Sequence, residues 1–154
     1  MSDDNMNAYE EIANGSGQSD PGNHGKVRAS YDELDLTENV VAIGDKLSMP
    51  LIPEGARIID AWIKSDNLGT AGIFDMGLDA HVDRDGDTVA DDADSLVSDA
   101  DAGGQAVFQR AGLGNVGIGK LIGKGGAQPY LIATEATNAA LGDRIRACVL
   151  YIAP

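Results

Sequence analysis

The sequence predicts an all-β protein: one β-sandwich or jelly-roll-like domain carrying an extended N-terminal arm. Three observations lead there. Apolar and polar residues alternate with period 2 in separate short stretches after residue 26. Gly accounts for 20 of 154 residues while aromatics reach only 5%, a composition of turns and small strands. Helical periodicity is confined to two short stretches, Asn7 to Ala13 and Asp91 to Ala100, the second with only Leu96 and Val97 as sizeable apolar anchors. At 15.9 kDa the chain has the size of a single domain, for which folding buries roughly 70% of the unfolded surface.

The elements follow in order. Residues 1–25 hold five acids (Asp3, Asp4, Glu10, Glu11, Asp20), no Lys or Arg, and a polar run from Asn14 to Asn23, so they read as an acidic arm too polar to build a core. The domain spans 26–154. Val27, Ala29 and Tyr31 alternate with Arg28, Ser30 and Asp32, predicting a first strand whose apolar phase faces inward. Leu47, Met49 and Leu51 repeat the pattern until Pro53-Glu54-Gly55, a type I turn signal. From Arg57 to Lys64 both phases are apolar, Ile59, Ala61 and Ile63 against Ile58 and Trp62, which predicts a strand covered on both faces, either central in its sheet or meeting another subunit through Ile58 and Trp62. Tyr9 and Ile12 are the arm's matching interface candidates. Three further strands are predicted around Phe74-Met76-Leu78, Tyr130 to Thr134, and Ile145-Ala147-Val149-Tyr151.

Charge excludes several function classes. The net charge is −14 and the sequence pI about 4.2, so the chain repels phosphate backbones and anionic lipid surfaces. No nucleic-acid or membrane partner is expected, since no apolar run approaches the ~20 residues of a membrane span. The opening Met1-Ser2-Asp3-Asp4-Asn5 lacks the charge and apolar stretch of a signal peptide, so a soluble protein made in the cytoplasm and not exported is expected. A lone Cys148 with His24 and His81 provides neither a disulfide nor a zinc framework.

Two segments resemble chemical motifs. In the Gly-rich loop 111–129, Gly112 to Gly117 fits G-x-G-x-x-G and Gly114 to Lys120 fits the start of a P-loop. Position 121 is Leu where a P-loop needs Ser or Thr, and Gly119, Gly123, Gly125, Gly126 and Pro129 forbid the helix that would face phosphate. A flexible loop between two strands is the simpler expectation. The Asp-rich loop 83–101 is the sharper candidate. Asp83, Asp85, Asp87, Asp91 and Asp94 occupy positions 1, 3, 5, 9 and 12 of a twelve-residue window, with the Val89 carbonyl at position 7, the spacing at which oxygens converge on Ca²⁺. Thr88 stands where such loops place Gly, and Asp94 is shorter than the usual Glu. A calcium loop and a solvated acidic turn both remain open.

No catalytic constellation emerges. His24 lies in the arm, His81 beside the acidic loop, and Cys148 reads as a small strand side chain. The expectation is a protein without enzymatic activity.

Residues 26–154 resemble small capsid decoration, or cement, proteins of tailed bacteriophages. The likeness rests on Lys26-Val27-Arg28-Ala29-Ser30-Tyr31, on Gly44-Asp45-Lys46-Leu47 leading to Leu51-Ile52-Pro53-Glu54-Gly55-Ala56-Arg57-Ile58-Ile59-Asp60-Ala61, on Phe74-Asp75-Met76-Gly77, and on Leu141-Gly142-Asp143-Arg144-Ile145 running into Tyr151-Ile152. The resemblance implies a virion structural subunit, a homo-oligomer such as a trimer or dimer, that binds major capsid protein on the outer capsid surface and stabilises the shell. A phage tail or receptor-binding domain and a calcium-dependent adhesion module are the alternatives.

Overall fold

The computed structural model describes residues 26–36, 41–68, 72–112, 114–135 and 143–153. Residues 1–25, with Tyr9, Ile12 and the short helical pattern at 7–13, lie outside them. Ten strands follow in order: β1 (Val27–Asp35), β2 (Lys46–Ser48), β3 (Arg57–Ser65), β4 (Ile73–Leu78), β5 (His81–Val82), β6 (Thr88–Val89), β7 (Asp92–Asp101), β8 (Val107–Arg110), β9 (Pro129–Ala133) and β10 (Arg144–Ile152). They form two four-stranded antiparallel sheets, β1-β10-β3-β8 and β2-β9-β4-β7, with β5-β6 as a separate hairpin. Apart from that hairpin, successive strands switch sheets except between β4 and β7, so the chain winds as a jelly-roll-like sandwich. The fold class is as expected.

The core lies between the sheets. Ile58, Ala61 and Ile63 of β3, Phe74 and Met76 of β4, Leu96, Val97 and Ala100 of β7, Leu131 and Ala133 of β9, and Ile145, Ala147 and Val149 of β10 are all buried there. The double phase of β3 has a simple cause. Ile59 is inserted as a β-bulge opposite the Leu150/Tyr151 step of β10, and the extra residue lets Ile58, Ala61 and Ile63 all face inward while Ile59 and Trp62 face out. Ile58 is 0% exposed. It belongs to the core, which corrects its assignment to a subunit contact.

The first strand reverses its expected face. Val27, Ala29 and Tyr31 are exposed, whereas Ser30 is buried with its hydroxyl donating to the Pro50 carbonyl at 2.6 Å. The phase is set further along, where Leu34 packs against the core and Leu36 is buried within it. Because side chains alternate, fixing Leu34 and Leu36 inward forces Val27, Ala29 and Tyr31 outward.

The Asp-rich segment also departs from expectation, since residues 92–101 form strand β7 and no loop. Leu96, Val97 and Ala100 point inward, while Asp94, Asp99 and Asp101 stay exposed. An irregular register against β4 and a left-handed Asp99 (φ 55°) break the alternation that would have marked the strand. The Gly-rich segment is likewise tied down. Backbone N–H groups of Gly117, Gly119, Ile122, Gly123 and Ala127 donate to carbonyls of Ser95, Ile58, Ala56, Val82 and Ile52 at 2.8–2.9 Å, and the segment forms a strap across the sandwich. A Cβ at Gly123 would fall 1.9 Å from the Asp83 carbonyl oxygen, and one at Gly77 would fall 2.0 Å from that of Asp92. These are collisions with backbone. We expect Gly123→Ala and Gly77→Ala each to cost about 3 kcal/mol or more in urea unfolding, and Gly114→Ala, where a Cβ meets open space, to leave stability unchanged.

Candidate functional site

The outer face of the first sheet is built by register. One row across the sheet reads Tyr31, Cys148, Trp62 and Arg110; the next reads Glu33, Arg146, Lys64 and Phe108. Ala29 and Leu150, then Val27 and Ile152, continue the apolar part toward the start of β1. Trp62 sits at the centre, its ring 6.2 Å from Tyr31 and 5.6 Å from Phe108, both tilted, a geometry that aromatic pairs favour. Phe108 is 57% exposed, Val27 61% and Tyr31 47%. An antiparallel sandwich commonly turns polar residues outward on such a face, so a contiguous apolar surface makes this the candidate contact face.

Charged pairs frame it. Glu33 accepts from Arg144 at 2.8 Å and from Arg146 at 2.5 Å, and Asp60 accepts from Arg110. Glu33 in turn holds the Arg146 guanidinium above its ordinary pKa. Burial, followed by the charge of Asp60, pushes the Cys148 thiol up, which keeps it protonated and unreactive beneath the aromatic row. Such exposed pairs contribute little to stability, and their role is to set the polar rim of the surface.

The second sheet presents the opposite chemistry. On its outer side Lys46 Nζ lies 3.0 Å from Asp79 and 2.5 Å from Asp91, and 4.1 Å above the Tyr130 ring, whose hydroxyl donates to Asp91. This cluster ties β2 and β9 to the turns flanking the acidic hairpin. Lys46 and Tyr130 hold the Asp91 carboxyl below the usual carboxylate range. Burial raises the Tyr130 hydroxyl, and the two carboxylates raise Lys46. Asp75, which accepts the Asp99 N–H at 2.7 Å, is pushed up chiefly by burial.

The calcium candidates are not brought together. Asp83 caps the β5-β6 turn, its Oδ1 accepting the N–H groups of Asp85 and Asp87 at 2.9 Å each. Asp85 and Asp87 are exposed at the tip, Val89 pairs with His81, Asp91 is held by Lys46 and Tyr130, and Asp94 lies on β7. Among the described residues no group of three or more His, Cys, Asp or Glu side chains is placed to hold a metal ion. Gly86 explains the difference, because its left-handed φ of 92° closes the turn at the fourth residue of the window, and the chain returns as β6 before the later carboxylates are reached. His81 is engaged through Nδ1 with the Asp79 carbonyl at 2.8 Å. An open cleft of about 300 Å³ between the β1 and β2 edges is lined by Leu34, Leu47, Met49, Leu131, Ile145 and Ala147 with Asp32, Glu33, Lys46 and Ser48, and it holds no nucleophile with an adjacent base.

No family model matches the chain, and no curated protein matches it. Two solved structures do. A chain of the Cyanophage Pam1 capsid asymmetric unit aligns with TM-score 0.60 and 17% identity, over 84% of this chain and 86% of that one. A chain of the capsid of Ralstonia phage GP4 aligns with TM-score 0.62 and 20% identity, over 84% and 86%. This fold is shared with chains found in phage capsids. Of the interface residues expected from sequence, Trp62 lies on the outer face and Ile58 does not. Tyr31 and Phe108 stand exposed beside Trp62 on that face without a sequence signal, the first because its phase reads inward and the second because β8 is too short to show a period.

Two outcomes test this geometry. Asp91 is depressed in the folded state, so the stability it contributes is present above the ordinary carboxylate range and is lost as pH falls through the folded value. Asp91→Asn should therefore melt lower than the parent at pH 7, with the gap closing below about pH 4 in a melting-temperature profile. Adding millimolar Ca²⁺ in place of EDTA should leave the melting temperature unchanged, because the loop carboxylates do not converge; a rise of several degrees would show that the loop rearranges around the ion.

Proposed function

We propose that this chain is a virion structural protein of a bacteriophage that decorates the outer capsid surface and stabilises it by binding major capsid protein through the outer face of its first sheet. The observation that carries the reading is the contiguous Tyr31-Trp62-Phe108 surface on a fold shared with chains of two phage capsids. An aromatic cluster of this kind provides contact area at low entropic cost and is the typical centre of a binding hot spot. The acidic outer side of the second sheet then faces solvent, where its charge keeps decorated particles apart. The likeness to chains of phage capsids supports a structural role.

The test is co-sedimentation with assembled shells. Phe108→Ser and Tyr31→Ser remove exposed rings without opening the core, and each should weaken attachment about ten-fold or more. Lys46→Ser on the opposite face should leave attachment unchanged. Sedimentation of the free protein reports the trimer or dimer that the sequence resemblance implies. Failure of the parent protein to sediment with shells would remove the reading.

A further inference from the structure

We propose that the cleft between β1 and β2 accepts an extended strand of the shell's major capsid protein, one that pairs with the free edge of β1 and lays alternate apolar side chains on the cleft floor. The inference rests on the attachment reading for the source of the strand and deepens it by naming the chemistry of the segment that is bound. The register fixes which main-chain groups of β1 are engaged. The Lys26 carbonyl accepts from the Ala153 N–H and the Leu36 N–H donates to the Asp143 carbonyl, each at 3.0 Å, at the two ends of the β1-β10 ladder. Bonded pairs alternate in an antiparallel ladder, so the even-numbered residues of β1 bond β10 and the odd-numbered ones turn their N–H and C=O toward the open edge. There the Glu33 N–H is taken by Asp32 Oδ1 at 2.8 Å, while the main-chain groups of Val27, Ala29 and Tyr31 meet no partner among the described residues. Across the cleft, the Met49 N–H donates to the Pro129 carbonyl, and the same alternation along the β2-β9 register turns the main chain of Lys46 and Ser48 outward.

The two sides of the sandwich differ. On the far side the strap takes up the edge of β7, with the Gly117 N–H on the Ser95 carbonyl at 2.8 Å and Asn115 Nδ2 on that of Asp94 at 2.9 Å. On the near side β1 and β2 are both edge strands, and the space of about 300 Å³ between them has Leu34, Leu47, Met49, Leu131, Ile145 and Ala147 along its floor. Unpaired edge groups above an apolar floor specify a strand, because a strand supplies N–H and C=O groups along one side and points every second side chain downward. A second copy is the poorer occupant. Every described strand of this chain is already paired, and β1 meeting its own edge would bring the inward phase of Arg28, Ser30 and Asp32 over the floor. An added strand also continues the candidate contact face, since its outward side chains stand beside Tyr31 in the row that leads to Trp62. Asp32 lines the cleft and makes no ion pair among the described residues, so a Lys or Arg on the strand opposite it completes the fit.

The test uses the isotope-labelled full-length protein and overlapping short peptides that tile the major capsid protein. Amide exchange read by NMR should find Ser30 and Asp32 slow and Ala29 and Tyr31 fast in the free protein. A peptide with apolar residues at alternate positions and a Lys or Arg should slow the Tyr31 amide about ten-fold or more and shift the Leu47, Ile145 and Ala147 resonances. Leu47→Ser, at a half-buried position of the floor, should weaken that peptide about ten-fold, with the slow amides of β1 confirming that the variant folds. Phe108→Ser, on the far edge of the sheet, should leave peptide binding unchanged. A Tyr31 amide already slow without peptide would overturn the proposal, and one slow only in concentrated protein would overturn it in favour of a second copy. Silence toward every peptide at about millimolar concentration would overturn it as well. Shell co-sedimentation separates this inference from the attachment reading. Attachment that persists while no peptide enters the cleft sinks only the strand site, whereas a peptide held in the cleft by a protein that ignores whole shells sinks only the decoration.

Discussion

The fold depends on the close approach of one glycine-rich strap to the two sheets it crosses. Between Gly117 and Ala127 the backbone donates to carbonyls at Ser95, Ile58, Ala56, Val82 and Ile52, so the strap satisfies polar groups at the sandwich end where neither sheet can do so itself. That approach leaves no room for side chains at Gly123, where a Cβ would meet the Asp83 carbonyl. Closing the end in this way keeps Ile52, Ala56, Ile58 and Ile122 out of water. At Gly117, Gly123 and Gly126 the glycine, which first reads as flexibility, is instead a demand of close packing.

With the interior closed, the apolar residues left outside become the informative ones. β1 is held in phase by Leu34 and Leu36, and that constraint exports Val27, Ala29 and Tyr31 to the outer surface. β3 is held by its bulge at Ile59, which turns Trp62 out beside them. The aromatic face is thus a consequence of two register decisions made in the core. On the other sheet the same logic places Lys46, Asp79, Asp91 and Tyr130 together, giving a molecule with one aromatic side rimmed by ion pairs and one acidic side.

Much of this was legible in the chain. Period-2 alternation located β1, β3, β4, β9 and β10, and the Pro53-Glu54-Gly55 turn marked the start of β3 at Arg57. The double apolar phase of that strand already set Trp62 apart from Ala61 and Ile63, but the bulge that resolves the phase is a tertiary feature with no local signature. For the same reason Ile58 read as surface although it is core. β7 was hidden because Asp residues fill its solvent positions and a left-handed Asp99 breaks its period. The spacing of Asp83 to Asp94 suggested a cage, yet spacing along a chain does not fix convergence. Gly86 reverses the chain early, and Asp83 spends its oxygen on the amides of Asp85 and Asp87.

The central claim is that the aromatic side of the sandwich is the side that meets a capsid. A cryo-EM reconstruction of shells saturated with this protein tests it most directly. The account predicts one sandwich-shaped density per site on the outer surface, oriented with Trp62 and Phe108 against the shell and the Lys46-Asp91-Tyr130 cluster toward solvent. Density in the reverse orientation, or bare shells at saturating protein, would contradict it.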